Sequence, residues 1–257
     1  RKMSSDDADA GQTVVPPAKQ PGQSDFTFNA VVFSASSKLY GMTVKTGAHV
    51  KSPVGTELLI RVEAAAINPI DYKLPSMPVI GLLQEGRIVG QDVAGEVILV
   101  GSKVKDFRVG DRIMGFASGC LTQYCIVEES KASLVPDNLN FKQAAAIPVT
   151  GVTSYQALKR NGVKEGTRLL VLGASGGCGL MGVMIGKALG AHVTGVCSTA
   201  NLELVKSAGA DEIIDYTKHE VSKSLLAGGD RFFPNGERLD VIFDTVTSGE
   251  PGDRYEE

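Results

Sequence analysis

One stretch constrains this chain more than any other. Leu169-Leu-Val-Leu-Gly173-Ala-Ser-Gly176-Gly177-Cys-Gly179 sets a short uncharged apolar run directly before glycines spaced G-x-x-G-x-x-G, and Leu180–Leu189 continues as a helical run. A strand that ends in such a turn and restarts as a helix is a ready place for a pyrophosphate. The glycines let the backbone turn sharply and come close to the ligand, and the N–H groups and dipole at the helix start favour negative charge. The same glycines would also serve a tight strand–helix packing turn with no ligand, so the flanking segments decide.

Those segments alternate. After Pro148 come a strand at Arg168–Leu172, a helix through Leu189, a strand at His192–Cys197, a helix from Asn201 to Ala208, strands at Glu212–Ile214 and Asp240–Asp244, and a helix expected after Thr217 between them. Alternation of this kind implies parallel strands joined by right-handed helical crossovers, a doubly wound sheet. The element order of a dinucleotide site is thus present on both sides of the glycines, which makes Ala174, Ser175, Gly176, Gly177, Cys178 and Gly179 the expected pyrophosphate contacts. Leu169–Gly186 is uncharged and about as long as a minimal membrane-spanning helix, but its glycines fall where a strand, a turn and a helix need them. No integral membrane segment is expected.

The end of the next strand selects the dinucleotide, because an NAD site places Asp or Glu there to hold the ribose 2′-OH. Here Cys197-Ser-Thr-Ala-Asn201 carries no carboxylate, and Ser198, Thr199, Asn201 and Tyr216 can donate hydrogen bonds, so NADPH is preferred over NADH. Ser198 has a competing job as a helix N-cap. Cys178 sits at a helix start, a place that can lower a thiol pKa, but an inert buried cysteine is the expectation.

Ahead of Pro148 the punctuation changes. Residues 1–25 mix Ser, Asp, Gln, Pro and Gly with few large apolar side chains and read as a disordered tail; their acidic residues fit a transit peptide poorly. Residues 26–147 hold short β-rich runs at Ala30–Phe33, Leu58–Glu63, Ala94–Val100, Arg112–Phe116 and Gln123–Val127, a mostly β domain. A net charge of -3 without long like-charge blocks, no Trp and 6% aromatic residues argue against a nucleic-acid surface. Cys120, Cys125, Cys178 and Cys197 match neither a disulfide framework nor paired zinc clamps, which points to a reducing compartment, the cytoplasm or the stroma or matrix of an organelle.

Five stretches together resemble the medium-chain dehydrogenase/reductase superfamily, in its zinc-independent quinone oxidoreductase and enone reductase branch. They are Ala64-Ala-Ala-Ile-Asn68-Pro-Ile-Asp71-Tyr72-Lys73, Gly90-Gln-Asp92-Val-Ala-Gly95, Val109-Gly-Asp111-Arg-Ile-Met-Gly115-Phe, the glycine turn, and Ala208-Gly-Ala-Asp211 with Ile214-Asp-Tyr216. The resemblance implies an α/β protein in which a chaperonin-10-like (GroES-like) catalytic domain, 26–147, precedes a Rossmann domain, 148–257. It also implies NADPH as cofactor, a small quinone or α,β-unsaturated carbonyl as substrate, and compatibility with a homodimer.

Zinc-dependent relatives place a Cys in the first stretch and a Gly-His-Glu in the second, where this chain has Asn68 and Gln91-Asp92. Cys120 and Cys125, with no further soft ligand nearby, do not complete a tetrahedral site, so no zinc is expected. Hydride addition without a metal then relies on hydrogen-bond donors for the developing oxyanion. By resemblance these are Asn68, Tyr72 and Lys73, with Lys73 alternatively on a ribose hydroxyl, Asp71 structural, and Thr153 under the nicotinamide. The bland reading makes Tyr72 a half-buried ring, Lys73 a solvated ammonium and Thr153 a helix-start hydroxyl.

Two departures accompany the resemblance. Ala200 stands where relatives often carry Arg or Lys for the 2′-phosphate, and only four strands of the usual six precede the last residues, so the Rossmann sheet is expected to be incomplete. Two rival functions remain: a nucleotide-binding relative without turnover, and a zinc-dependent alcohol dehydrogenase.

Overall fold

The structure, a computed structural model, describes residues 26–34, 42–76, 85–219, 221 and 239–246. The tail expected at 1–25, the helix expected after Thr217 and the chain beyond Val246 lie outside the described residues.

Two strands open the fold as an antiparallel pair, β1 (Phe26–Phe33) and β2 (Met42–Val50). The pair reaches the main sheet region where Val31 N–H donates to the Leu121 carbonyl at 2.9 Å. That sheet has five antiparallel strands, β3 (Glu57–Ala66), β4 (Asp92–Val100), β5 (Arg112–Phe116), β6 (Tyr124–Glu128) and β7 (Ala132–Leu134), in the order β6-β3-β4-β5-β7. Helix α1 (Pro69–Ser76) leaves the end of β3. Leu58 and Ile60 of β3 pack with Val93 and Val97 of β4 and Ile113 of β5, all free of solvent. Near Ala94 of β4 the sheet is covered by α2 (Phe141–Ala145), whose start is closed by Asn140 and Gln143, each side chain accepting from the other's backbone N–H.

Helix α3 (Pro148–Arg160) starts with its proline in the first turn, where a missing N–H costs no intrahelical bond. It leads to the second sheet: β8 (Arg168–Leu172), α4 (Gly177–Ala188), β9 (His192–Cys197), α5 (Leu202–Ser207), β10 (Glu212–Asp215) and β11 (Val241–Asp244). These four strands are all parallel, in the order β10-β9-β8-β11. Leu169, Val171 and Val193 face one core with Val183 and Val205 of the helices, while Leu170, Leu172, Val196 and Ile214 face another. Burial on both faces accounts for the near-continuous apolar runs of β8 and β9. Strand order reverses at β8, because β9 and β10 are added on one side of it and β11 on the other. Such a reversal opens a crevice at the carboxyl ends of the strands.

Candidate functional site

At that crevice lies the glycine turn. Gly173 has φ +71°, a left-handed conformation that glycine adopts without strain, and a Cβ there would collide with Val246 and Thr245 beyond β11. Thr245 Oγ1 donates to the Leu172 carbonyl at 2.7 Å, which seats β11 against the turn. Gly179 sits so close beneath Gly173 that a Cβ would run into the Gly173 carbonyl oxygen, a backbone atom that cannot swing aside. Ala174 is buried, and its N–H donates to the Val196 carbonyl of β9 at 2.9 Å. Gly176 begins α4 without a side-chain cap, so the first-turn N–H groups of the helix are offered outward by the backbone. Ser175 and Cys178 are half-buried, and Gly176 and Gly177 are exposed. The turn therefore brings Ala174 through Gly179 together as a cradle that fits a dinucleotide pyrophosphate.

Ser198, Thr199 and Asn201 follow β9, and Tyr216 follows β10, with its N–H donating to the Cys197 carbonyl at 3.2 Å. Ser198 Oγ does not cap a helix; it accepts from Asn201 Nδ2 at 3.2 Å. A carboxylate reaches this place from the neighbouring strand. Asp215 accepts hydrogen bonds from Thr199 Oγ1 on one oxygen, and on the other from Thr217 Oγ1 at 2.7 Å and Thr217 N–H at 3.0 Å. The Thr199 and Thr217 hydroxyls hold its carboxyl below the usual range, at about 2, so it is ionised at neutral pH. Parallel pairing places Asp215 beside Cys197, a neighbour that strand periodicity alone does not disclose.

At the other end stands the Asn68 cluster. Asn68 precedes α1 and is buried; its backbone N–H donates to Asp71 Oδ2 at 2.7 Å, a closure of the helix start by its third residue. Its amide Nδ2 donates to Asp92 Oδ2 at 2.9 Å, and the second oxygen of Asp92 accepts from the Val149 N–H of α3 at 2.8 Å. Asp92 is wholly buried. Burial raises the carboxyl pKa of both Asp71 and Asp92, opposed at Asp71 by the Asn68 backbone bond and at Asp92 by the bonds from Asn68 and Val149. Tyr72 is half-buried and Lys73 exposed on the same short helix. Ile70 and Asp71 also border a cavity of about 170 Å³ whose other walls include Arg87, Gly90, Gln91 and Ser118.

Thr153 is exposed on α3, and Thr150, one turn earlier, stands against the glycine turn instead: a Cβ on Gly177 would meet its Cγ2 at 3.0 Å. Ser154, fully buried, reaches the Thr150 carbonyl at 2.7 Å and the Cys178 carbonyl at 2.8 Å, tying α3 to the turn. Thr150 and Ser154 were not among the expected site residues; the sequence signal was the i, i+4 spacing of two hydroxyls flanking Gly151. Cys120 donates to the Asp92 backbone carbonyl at 3.1 Å. Burial raises the thiol pKa of Cys120, Cys178 and Cys197, and pushes that of Cys125 up to about 12. At Cys178 burial outweighs the lowering contact with Ser154, which accords with an inert thiol.

Asn68 and Asp92 bond each other where zinc-dependent relatives carry ligands, and among the described residues no three His, Cys, Asp or Glu side chains converge. No helix among the described residues is long and apolar enough to cross a membrane.

Comparison with known proteins locates two matches along the chain. Residues 55–137 match the alcohol dehydrogenase GroES-like domain, and residues 177–255 match the family described as zinc-binding dehydrogenase. A chloroplastic quinone-oxidoreductase homolog of Spinacia oleracea is 35% identical over 80% of this chain and 64% of its own length. A trans-enoyl reductase of Aspergillus terreus is 32% identical over 89% of this chain and 67% of its own. Among solved structures, a mycobacterial protein complexed with NADPH superposes with a TM-score of 0.68 at 27% identity, over 85% of this chain and 66% of that one. The chain thus spans less than two thirds of the spinach protein's length.

Proposed function

Because this chain belongs to the medium-chain dehydrogenase/reductase superfamily, we propose that it is an NADPH-dependent oxidoreductase that passes hydride to a quinone or an α,β-unsaturated carbonyl without zinc. The observation that carries the reading is the contact of Gly179 with the Gly173 carbonyl at the strand-order reversal, a backbone packing that leaves the start of α4 open to a pyrophosphate. The named activities of the spinach and Aspergillus relatives, and the NADPH held by the mycobacterial protein, support the acceptor class and the cofactor. The spinach relative is chloroplastic, which among the reducing compartments expected supports an organelle stroma or matrix.

Roles for individual residues follow from where they stand. Within Ala174–Gly179, the first-turn N–H groups of α4, those of Gly177, Cys178 and Gly179, would hold the pyrophosphate, while Ala174 and Gly176, whose N–H groups bond the Val196 and Gly173 carbonyls, would shape the turn with Ser175. Ser198, Asn201 and Tyr216 would meet the adenosine ribose and its 2′-phosphate. When bound, the reduced nicotinamide supplies the hydride. The acceptor oxygen that gains charge needs donors, each worth about 3 kcal/mol in the transition state. Tyr72 and Lys73 face that task from α1, and Asn68 keeps one amide proton beyond the one it gives to Asp92. On α3, Thr150 stands against the glycine turn next to Val149, which binds Asp92, and Thr153, exposed one turn further on, would lie under the nicotinamide. The cavity beside Asp71 is the proposed entry for the acceptor.

Full-length protein mixed with NADPH and a panel of quinones and 2-alkenals is expected to consume NADPH, followed by loss of its absorbance. If no acceptor supports consumption, the enzymatic reading is wrong. A second reading, a nucleotide-binding protein without turnover, is favoured by one observation: Asn68 is buried and already committed to Asp92. NADPH binding without consumption would establish it.

A further inference from the structure

Resting on the NADP(H) reading above, we infer that Lys218 is the cation that recognises the 2′-phosphate. A phosphate monoester near neutral pH carries close to two negative charges and is held by charge as well as by hydrogen bonds. The loop after β9, Ser198-Thr-Ala-Asn201, carries no positive side chain. Packing makes the deficit worse, because it brings the ionised Asp215 to the same place.

The hydrogen bonds around Asp215 decide which groups are left to meet an incoming anion. Thr199 and Thr217 both turn their hydroxyl protons inward to Asp215, and the two oxygens lie 2.8 Å apart, so neither hydroxyl is free to donate outward. Ser198 accepts from Asn201, which leaves the Ser198 proton available, but that donor is neutral. In the two strand-end loops, 197–201 and 212–219, Lys218 is the sole Lys or Arg. Its Nζ lies 3.6 Å from Asp215 Oδ2, a loose pair on a side chain 60% exposed. A pair of that kind is weak and easily re-formed around a stronger anion. Lys218 is therefore held beside the loop by Asp215 while remaining able to bridge the carboxylate and a phosphate. Asp215, satisfied by its threonines, serves to place the ammonium.

The test isolates the adenosine end by calorimetric titration of full-length protein with 2′,5′-ADP and with 5′-AMP. Wild type is expected to bind 2′,5′-ADP the more tightly. Lys218→Ala should weaken 2′,5′-ADP about tenfold, the loss of one charge-assisted contact, and leave 5′-AMP unchanged. Lys218→Arg should keep most of the preference, and 5′-AMP affinity serves as the control for folding. Equal loss for both ligands, or no loss for 2′,5′-ADP, overturns the role of Lys218 while the nucleotide site stands. Wild type that favours 5′-AMP would show that the Asp215 charge dominates, and overturns it as well. If wild type binds neither ligand, the cofactor reading fails and the inference goes with it.

Discussion

The two ends of the candidate site are built from different materials. The glycine-turn end is made of backbone: Gly173 against Val246 and Thr245, Gly179 against the Gly173 carbonyl, Ala174 hydrogen-bonded to β9. The α1 end is made of side chains in a relay: Asp71 accepts from the Asn68 N–H, the Asn68 amide donates to Asp92, and Asp92 accepts from the Val149 N–H of α3. A backbone site is set by which positions lack a Cβ, so it tolerates little change and needs few partners. A side-chain site is set by a chain of hydrogen bonds, so it can be loosened link by link. Substitutions at the two ends should therefore fail in different ways.

The largest effect is expected at Gly179→Val. Its side chain would have to displace the Gly173 carbonyl, and neither strand nor helix can yield without moving the turn. Overpacking of this kind costs about 3 kcal/mol, roughly a hundredfold if read as affinity. Urea unfolding together with an NADPH titration would separate the two readouts. A variant that binds NADPH as tightly as wild type would break the comparison, since the site would then not depend on the backbone.

A smaller and differently distributed effect is expected at Asp92→Ala. Removing this carboxylate leaves the Val149 N–H and one Asn68 amide proton without their acceptor inside the protein, a loss of about 2 kcal/mol in stability. Because α1 is held through Asn68, turnover should fall by more than NADPH affinity does. Steady-state kinetics beside direct titration checks this. An equal fall in both would mean that the two ends act as one rigid unit.

The same contrast governs what could be read in advance. Strands β8 and β9 occupy the residues expected, because runs buried on both faces and bounded by glycine carry their own signal. The glycine turn was legible for the same reason: its requirement is local. Strand β2 was not anticipated: Met42, Val44, Ala48 and Val50 alternate with polar residues, but Thr46 and Gly47 interrupt the run and Thr43–Gly47 are all exposed. Nor was β7, which has three residues. The Asn68–Asp92–Val149 connection spans β3, β4 and α3, and no spacing along the chain encodes it. Thr153 matched a family position, yet it was the helical phase of α3 that brought Thr150 and Ser154 to the turn. The loop after β9 looked free of carboxylates because Asp215 arrives only through strand pairing.

Titration offers the finest separation of the two ends, because their carboxylates are shifted in opposite directions. Asp215 is lowered from 3.8 to about 2, chiefly by the Thr199 and Thr217 hydroxyls. Folding therefore favours its ionised form, and the resulting stability is present above pH 3.8 and lost as pH falls through about 2. Asp92 is raised by burial, against the bonds from Asn68 and Val149. Folding favours its protonated form, so that contribution is present below the ordinary value of 3.8 and lost as pH rises through the folded pKa. Urea midpoints of Asp215→Asn and Asp92→Asn, each set against wild type from pH 6 down to about 2.5, should consequently slope in opposite senses. The deficit of Asp215→Asn should shrink with acid, because wild type loses an advantage the variant never had. Asp92→Asn should compare best with wild type at the upper end, where wild type carries a buried charge that asparagine lacks, and worse as acid protonates Asp92. Slopes of the same sign would mean that the bonds from Asn68 and Val149 outweigh burial at Asp92, as the threonine hydroxyls do at Asp215, and the contrast between the two carboxylates would have to be abandoned.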